Sequence, residues 1–358
     1  MRIFYIVFVI SFFVSCTKEK VIEHNFSKVK VDTIFQDSIS IRAIAVDENL
    51  MIYTGTNGKY GYFEFNKDFK NGNPLYSFFT KKKKGILNFE DKKPSFRAVA
   101  NTETDFFVMS IESPALLYKI NKQSGKVKLV YTEKHEKAFY DSMAFWNDRE
   151  GIAMGDPTEG CLSIIITRDG GERWNKVSCD NLPKTIEGEA AFAASNGNIS
   201  IIGNKAWIVT GGLKSRVFYS ADKGNTWEVF ETPIIQGTPT SGAYSVDFYD
   251  EVNGVIFGGD YTKPDSNSAN KVITNDGGKT WKLIADGVTP GYKSCIRYIP
   301  HSGAKEMIAV GFTGISISND YGEHWKELSK ESFYTLRFIN DSTAIAAGKN
   351  RIAKLVFK

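Results

Sequence analysis

The sequence predicts an all-β fold, a seven-bladed β-propeller with four-stranded blades, with six or eight blades as alternatives. Two observations predict it. An eight-residue phrase recurs four times: TRDGGERW from Thr167, SADKGNTW from Ser220, TNDGGKTW from Thr274 and SNDYGEHW from Ser318, with starts 53, 54 and 44 residues apart. Spacing of that size marks duplication of one small unit. Around each copy, short apolar runs alternate with turn residues, the pattern of strands joined by hairpins. Composition agrees: 42% apolar and 13% aromatic residues can fill a core, and 31 Gly against 10 Pro suit many tight turns.

The chain begins with Met1-Arg2, an apolar run from Ile3 to Val14, and Ser15-Cys16, which reads as a signal peptide over residues 1–15. The run is too short for a permanent bilayer-spanning helix. Val14-Ser15-Cys16 resembles a bacterial lipobox, with Phe13 where Leu is usual. That resemblance implies acylation of Cys16 and a membrane-anchored, exported envelope lipoprotein; the alternative is an ordinary signal peptide with an incidental Cys. Residues 16–28 then read as a polar tether. No acidic cluster follows Cys16, which favours a periplasm-facing position. Residues 29–358 form a single propeller domain.

The blade pattern is clearest from Ser142: an apolar strand to Trp146, a DREG turn, Ile152 to Met154, a GDPTEG turn, Leu162 to Thr167, the repeated phrase, and Trp174 to Val177. The same order starts at Ile41, Phe96, Ala190, Tyr244, Cys295 and Tyr334, which gives seven blades. The last has room for only three strands. The alternating stretch 29–35 is expected to supply the fourth and close the ring.

Within each phrase the Asp (Asp169, Asp222, Asp276, Asp320) can accept hydrogen bonds from turn N–H groups. The Gly two residues on (Gly171, Gly224, Gly278, Gly322) permits a positive φ. The Trp (Trp174, Trp227, Trp281, Trp325) opens the next strand and can bury its ring between units. The phrase resembles the Asp-box, or BNR, repeat of β-propellers, which implies that these residues are structural and lie away from the active face.

A net charge of +4 over 358 residues is too small to imply a nucleic-acid partner. His24, His135, His301 and His324 are scattered without ligand spacing, so no metal site is expected, and no cofactor is expected either. The run Lys81 to Lys84, with Lys92 and Lys93, reads as a solvated loop or as contact to an anionic surface. Cys161 and Cys179 flank the first repeated turn at similar distances. Buried free thiols are the default expectation, with a bridge across the hairpin as the alternative in an exported protein. A monomer is expected.

Entries to innermost strands and turns between second and third strands share the propeller end opposite the repeated turns. Aligned innermost strands SIRAI, SFRAV, FYDSM, AYSVD, SCIRY and TLRFI place Arg42, Arg97, Asp141, Ser245, Arg297 and Arg337 at or near corresponding positions. Four arginines are therefore expected to converge on the central opening. The turns add Asp156, Lys214, Arg216, Asp260 and Tyr261. Guanidinium groups there can clasp a carboxylate or phosphate; alternatively they pair with Asp141, Asp156, Glu187, Glu189 and Asp260 to satisfy the channel mouth.

The phrases SFRAVA, GIAMGDP, GEAAFAASNG from Gly188, GGDY from Gly258 and GYKSCIRYIP from Gly291 resemble the photosystem II stability and assembly factor-like propellers, over roughly Ile41 to the C-terminus. For photosynthetic members that family implies binding of an assembling membrane complex through an arginine-rich patch. Bacterial members are often labelled oxidoreductase or sialidase-like, but no GxGxxG follows a strand and opens a helix here. Two functions stand as expectations. One is a lipid-anchored binding or assembly module, without catalytic residues, that holds an anionic small molecule, a glycan or a segment of an envelope protein. The other is a sialidase-type glycoside hydrolase in which arginines hold the substrate carboxylate, Tyr261 or Tyr244 attacks, and Asp141 or Asp156 is the acid.

Overall fold

A computed structural model of the protein describes residues 20–47, 50–66 and 79–358; the expected signal peptide and Cys16 lie outside them. The strands follow the apolar runs. In chain order they are β1 (Val29–Val46), β2 (Leu50–Gly55), β3 (Lys59–Phe65), β4 (Phe79–Ile86), β5 (Phe96–Asn101), β6 (Asp105–Ser110), β7 (Ala115–Asn121) and β8 (Val127–Glu133). There follow β9 (Tyr140–Phe145), β10 (Gly151–Gly155), β11 (Ser163–Thr167), β12 (Asn175–Lys176), β13 (Glu189–Ala190), β14 (Ile199–Ile202), β15 (Lys205–Val209), β16 (Gly211–Gly212), β17 (Arg216–Ser220) and β18 (Glu228–Glu231). The chain ends with β19 (Ser241–Phe248), β20 (Gly254–Asp260), β21 (Lys271–Thr274), β22 (Lys282–Leu283), β23 (Cys295–Tyr298), β24 (Met307–Gly311), β25 (Gly314–Ser318), β26 (Lys326–Ser329), β27 (Thr335–Asn340) and β28 (Thr343–Phe357).

The fold is an all-β propeller, but the expected count of seven blades is corrected. Among the described residues the strands hydrogen-bond into six sheets. Four have four strands: β5 to β8, β9 to β12, β14-β15-β17-β18 and β23 to β26. The sheet β19 to β22 is extended by β16 and β13, and the sixth runs β27-β28-β1-β2-β3-β4. The difference lies where the chain ends meet. β1 pairs with β28 from Val29 (opposite Phe357) to Ser40 (opposite Lys349), then with β2 from Ile41 to Val46. No Gly or Pro interrupts it, so the expected first and last blades share one continuous strand. β28 bends at Asn350, whose φ is 62°, and Phe357 donates its N–H to the Ser342 carbonyl.

The core lies between neighbouring sheets. Trp325 packs edge-on to Phe257 of β20, ring centroids 5.4 Å apart, and Trp174 does the same with Phe107 of β6 at 6.1 Å. Each repeated turn is a closed hydrogen-bond unit. In the second copy the Ser220 hydroxyl donates to Asp222 Oδ1 (2.9 Å) and accepts from Gly224 N–H (2.8 Å), while Asp222 Oδ1 also accepts from Thr226 N–H (2.8 Å). The same three bonds recur around Thr167, Thr274 and Ser318. Gly278 has φ 88° and faces the Trp207 ring so closely that a Cβ would lie 2.9 Å from it, so the turn requires glycine on both counts.

Three further expectations change. Cys161 and Cys179 are bridged, Cα atoms 5.6 Å apart, not free: pairing of β11 with β12 brings the flanking residues together. The lysine run forms β4 and is not a loop; it zips along β3 from Lys59 to Phe65. β4 is the outer edge of its sheet, where lysines discourage pairing with another chain. Residues 20–28, read from the sequence as part of a tether, pack against the body: Phe26 is buried, and Ser27 and Lys28 both donate to the Lys358 carbonyl.

Replacing Asp222 by Ala removes the acceptor that organises its turn. The expected cost is about 1–2 kcal/mol, read as a lower urea midpoint with an unchanged m-value; an unchanged midpoint would show that the turn is held by other contacts.

Candidate functional site

A cavity of about 490 Å³ opens at the end of the ring opposite the repeated turns. Arg42, Arg97 and Asp156 supply its charge, and Phe139, Phe192, Tyr244, Tyr261, Tyr292 and Phe312 its aromatic wall. The position of the arginines follows from strand geometry. Register shifts between Ile41 and Ala43 in β1 and between Phe96 and Ala98 in β5 leave Arg42 and Arg97 as bulge residues. The shifts in β9 and β19 put Asp141 and Tyr244 at the same place. A bulge kinks its strand and re-aims one side chain, and four strands use it at one level of the central opening.

The four expected arginines do not share that level; they divide into two pairs. Cys295 and Thr335, opposite Val310 and Ala347, occupy the register of Ala98 opposite Met109. Arg297 and Arg337 therefore lie three residues further along their strands than Arg97, about 10 Å deeper. The Arg297 guanidinium donates to the carbonyls of Ile296 (2.8 Å) and Val246 (3.2 Å) and to Asp247 (3.3 Å). Arg337 donates to the carbonyls of Leu336 (2.7 Å) and Asn196 (3.0 Å). Burial, and then the Arg297 charge beside it, pull Arg337 down to about 10.

Between the two levels runs the segment leading into β14, which the sequence did not single out as structural. Ala190 to Ala194 line the cavity. Beyond them Asn196, at φ 55°, donates to the Val99 carbonyl (2.8 Å) and accepts from Met143 N–H (2.9 Å). The Ser195 carbonyl accepts from Thr335 Oγ1 (2.9 Å) and the Gly197 carbonyl from Val246 N–H (2.8 Å). This plug ties strands β5, β9, β19 and β27 together and floors the cavity.

Asp141 is fully buried and neither carboxylate oxygen has a hydrogen-bond partner. Burial, then the neighbouring Asp156, push it well above the usual carboxylate range, against the pull of Arg97; the Ala193 amide lies near without closing a bond. Asp156 accepts from Ala191 N–H at 2.7 Å, and burial pushes it up to about 6. The two carboxyls titrate as a pair. Arg97 is half-buried and held below its usual value by burial and by Arg42. Arg42 lies over the Tyr334 ring, 4.1 Å from its centroid.

The remaining expected residues are spread out. Tyr261 and Phe312, 48% and 40% exposed, form the rim. Asp260 caps its own turn by accepting from Thr262 N–H (2.9 Å) and Oγ1 (2.7 Å), and these bonds outweigh burial to lower its pKa. Glu187 is exposed and lines an adjacent cleft of about 580 Å³. Glu189 forms a bidentate pair with buried Arg216 (3.1 and 2.5 Å), anchoring the loop that the Cys161–Cys179 bridge also holds. Tyr244 donates to the Thr240 carbonyl at 2.7 Å, and burial raises its phenol, opposite to the need of a nucleophile.

A family model described as sortilin, neurotensin receptor 3 (Sortilin-Vps10) matches residues 162–308. Comparison with curated proteins gives no match. Among solved structures the chain is similar to YCF48 bound to D1 peptide, with a TM-score of 0.63, 10% identity, and coverage of 96% of this chain and 100% of that one. It is also similar to the RRP9 WD40 repeats (TM-score 0.61, 10% identity, 92% and 98% coverage) and to U3-55K (0.58, 12%, 92% and 98%). These likenesses show the propeller fold.

Because the folded pKa of Asp156 is raised, from 3.8 to about 6, its ionisation opposes folding above about pH 6, and the penalty vanishes below the unfolded value. Asp156→Asn keeps the acceptor for Ala191 and is expected to stabilise the protein at pH 7.5 by about 1–3 kcal/mol, with little change at pH 4. Thermal unfolding at both pH values checks this; equal effects at both would refute it.

Proposed function

We propose that the protein is a lipid-anchored envelope binding or assembly module that holds an acidic segment of a partner protein in this cavity. Arg42 and Arg97 carry the proposal. Among the described residues neither guanidinium closes a salt bridge, whereas Arg297 and Arg337 are occupied by main-chain carbonyls. A carboxylate entering between the first pair gains charge-assisted hydrogen bonds in a half-buried setting, and the aromatic wall supplies apolar contact for the flanking residues. The volume suits a short segment. The structurally similar YCF48 is described as bound to a peptide, which supports a protein partner. The sialidase alternative has less support: among the described residues two arginines line the cavity, and no Glu lines it beside Tyr244 or Tyr261.

Fluorescence polarisation against arrayed acidic peptides and their amide counterparts, taken from exported proteins, tests the proposal. Arg42→Ala and Arg97→Ala are each expected to weaken acidic peptides by about 10- to 100-fold, while Arg173→Ala at the opposite end leaves them unchanged. Affinity is expected to rise as the pH falls through about 6, where Asp156 loses its charge, and Asp156→Asn abolishes that dependence. Peptide binding unaffected by either arginine change would reject the site. Release of sialic acid from a fluorogenic sialoside, lost in Arg97→Ala, would replace the proposal with the hydrolase.

A further inference from the structure

The chain enters the propeller at the end opposite the cavity. In the strap over residues 20–28, Ile22 donates its N–H to the His301 carbonyl at 2.8 Å. The N–H groups of His24 and Asn25 donate to the Glu306 carboxylate at 3.1 and 2.7 Å. Glu23 pairs with Lys305 at 2.7 Å, and Asn319 donates to the Phe26 carbonyl at 3.2 Å. These partners belong to the β23–β24 and β25–β26 turns. Phe312, on the cavity rim, belongs to the β24–β25 turn at the other end of the same sheet.

The surface around this entry carries a group of exposed apolar side chains. Val21, Val252 and Tyr321 are 58%, 47% and 51% exposed, and Ile22 is 38% exposed. They are neighbours: Val21 sits against Gly303, whose N–H donates to the Tyr249 hydroxyl (3.0 Å) in the turn that carries Val252, and Tyr321 N–H donates to the Lys305 carbonyl (2.8 Å). Aliphatic side chains with a Tyr suit a membrane interface; of the acidic groups beside them, Glu23 pairs with Lys305 and Glu251 with Lys205, both at 2.7 Å, while Glu323 is exposed. Three residues separate Cys16 from Lys20, a span of at most about 14 Å, so a lipid on Cys16 would keep this end close to its bilayer.

We propose that the surface formed by residues 20–25, 249–252, 301–306 and 318–323 rests on the membrane, so that the cavity opens away from the bilayer toward its partner. The proposal rests on the acylation of Cys16. The occupant of this surface is lipid, and the strap fixes the distance.

The test uses the full-length acylated chain in vesicles of phosphatidylethanolamine and phosphatidylglycerol. Single labelling sites are made by Val252→Cys and Tyr321→Cys at this end and by Tyr261→Cys and Phe312→Cys at the rim, each carrying an environment-sensitive fluorophore, with spin-labelled lipid as quencher. Loss of fluorescence at positions 252 and 321 and none at 261 and 312 is expected. Retention on vesicles with quenching at the rim, or equal quenching at both ends, overturns the orientation while leaving the anchor intact. Failure of the wild type to be retained, matching Cys16→Ala, overturns the anchor and the orientation together.

Discussion

The pairing of β1 with β28 is the constraint on which everything else depends. It joins residues more than 300 positions apart, Val29 with Phe357, so its loop-closure cost is met only when the intervening sheets are already in place. Without it the array would present two open edges, and the central opening would have no fixed diameter. The strap reinforces the same seam, since Phe26 packs at a tilt against Phe357, centroids 6.0 Å apart, and the Lys358 carbonyl accepts the N–H groups of Ser27 and Lys28.

Given a closed ring, the plug decides where charge can reside. Asn196 and its neighbours use up a carbonyl, two amides and a hydroxyl from four strands, and this divides one polar channel into an open upper level and a sealed lower one. The lower arginines are satisfied by the protein itself. The upper pair faces a partly desolvated space beside two carboxyls that cannot both ionise cheaply. The same residue type thus has opposite roles, set by a three-residue difference in register.

Much of this was legible in the sequence. The four repeated phrases located their turns because Asp, Gly and Trp each answer a specific local demand, and the apolar runs marked the strands. The first residue of each phrase is part of the same device: Thr167, Ser220, Thr274 and Ser318 each bridge Asp and Gly. The sheet count was not legible, because no breaker marks the passage of β1 from one neighbour to the next. The site was half legible. Arginine at the head of an innermost strand pointed to the right end, but a bulge leaves no mark in a string of letters, and aligning Arg297 and Arg337 with Arg97 requires the gap that only pairing reveals. The loop over GEAAFAASNG offered Gly, Asn and Ser as turn residues, yet its passage across the centre depends on partners far away in the chain.

The bulges make the cavity face modular. Each contributing strand offers one socket, filled here by Arg42, Arg97, Asp141 and Tyr244, and the residues on either side keep the ladder intact whichever side chain fills it. The seam and the repeated turns lie away from these sockets, whereas Tyr244 belongs to the packed core, stacked on Phe192 (4.0 Å) and edge-on to Tyr292 (4.8 Å). The two half-buried sockets, Arg42 and Arg97, can therefore be rewritten one at a time at little risk to folding.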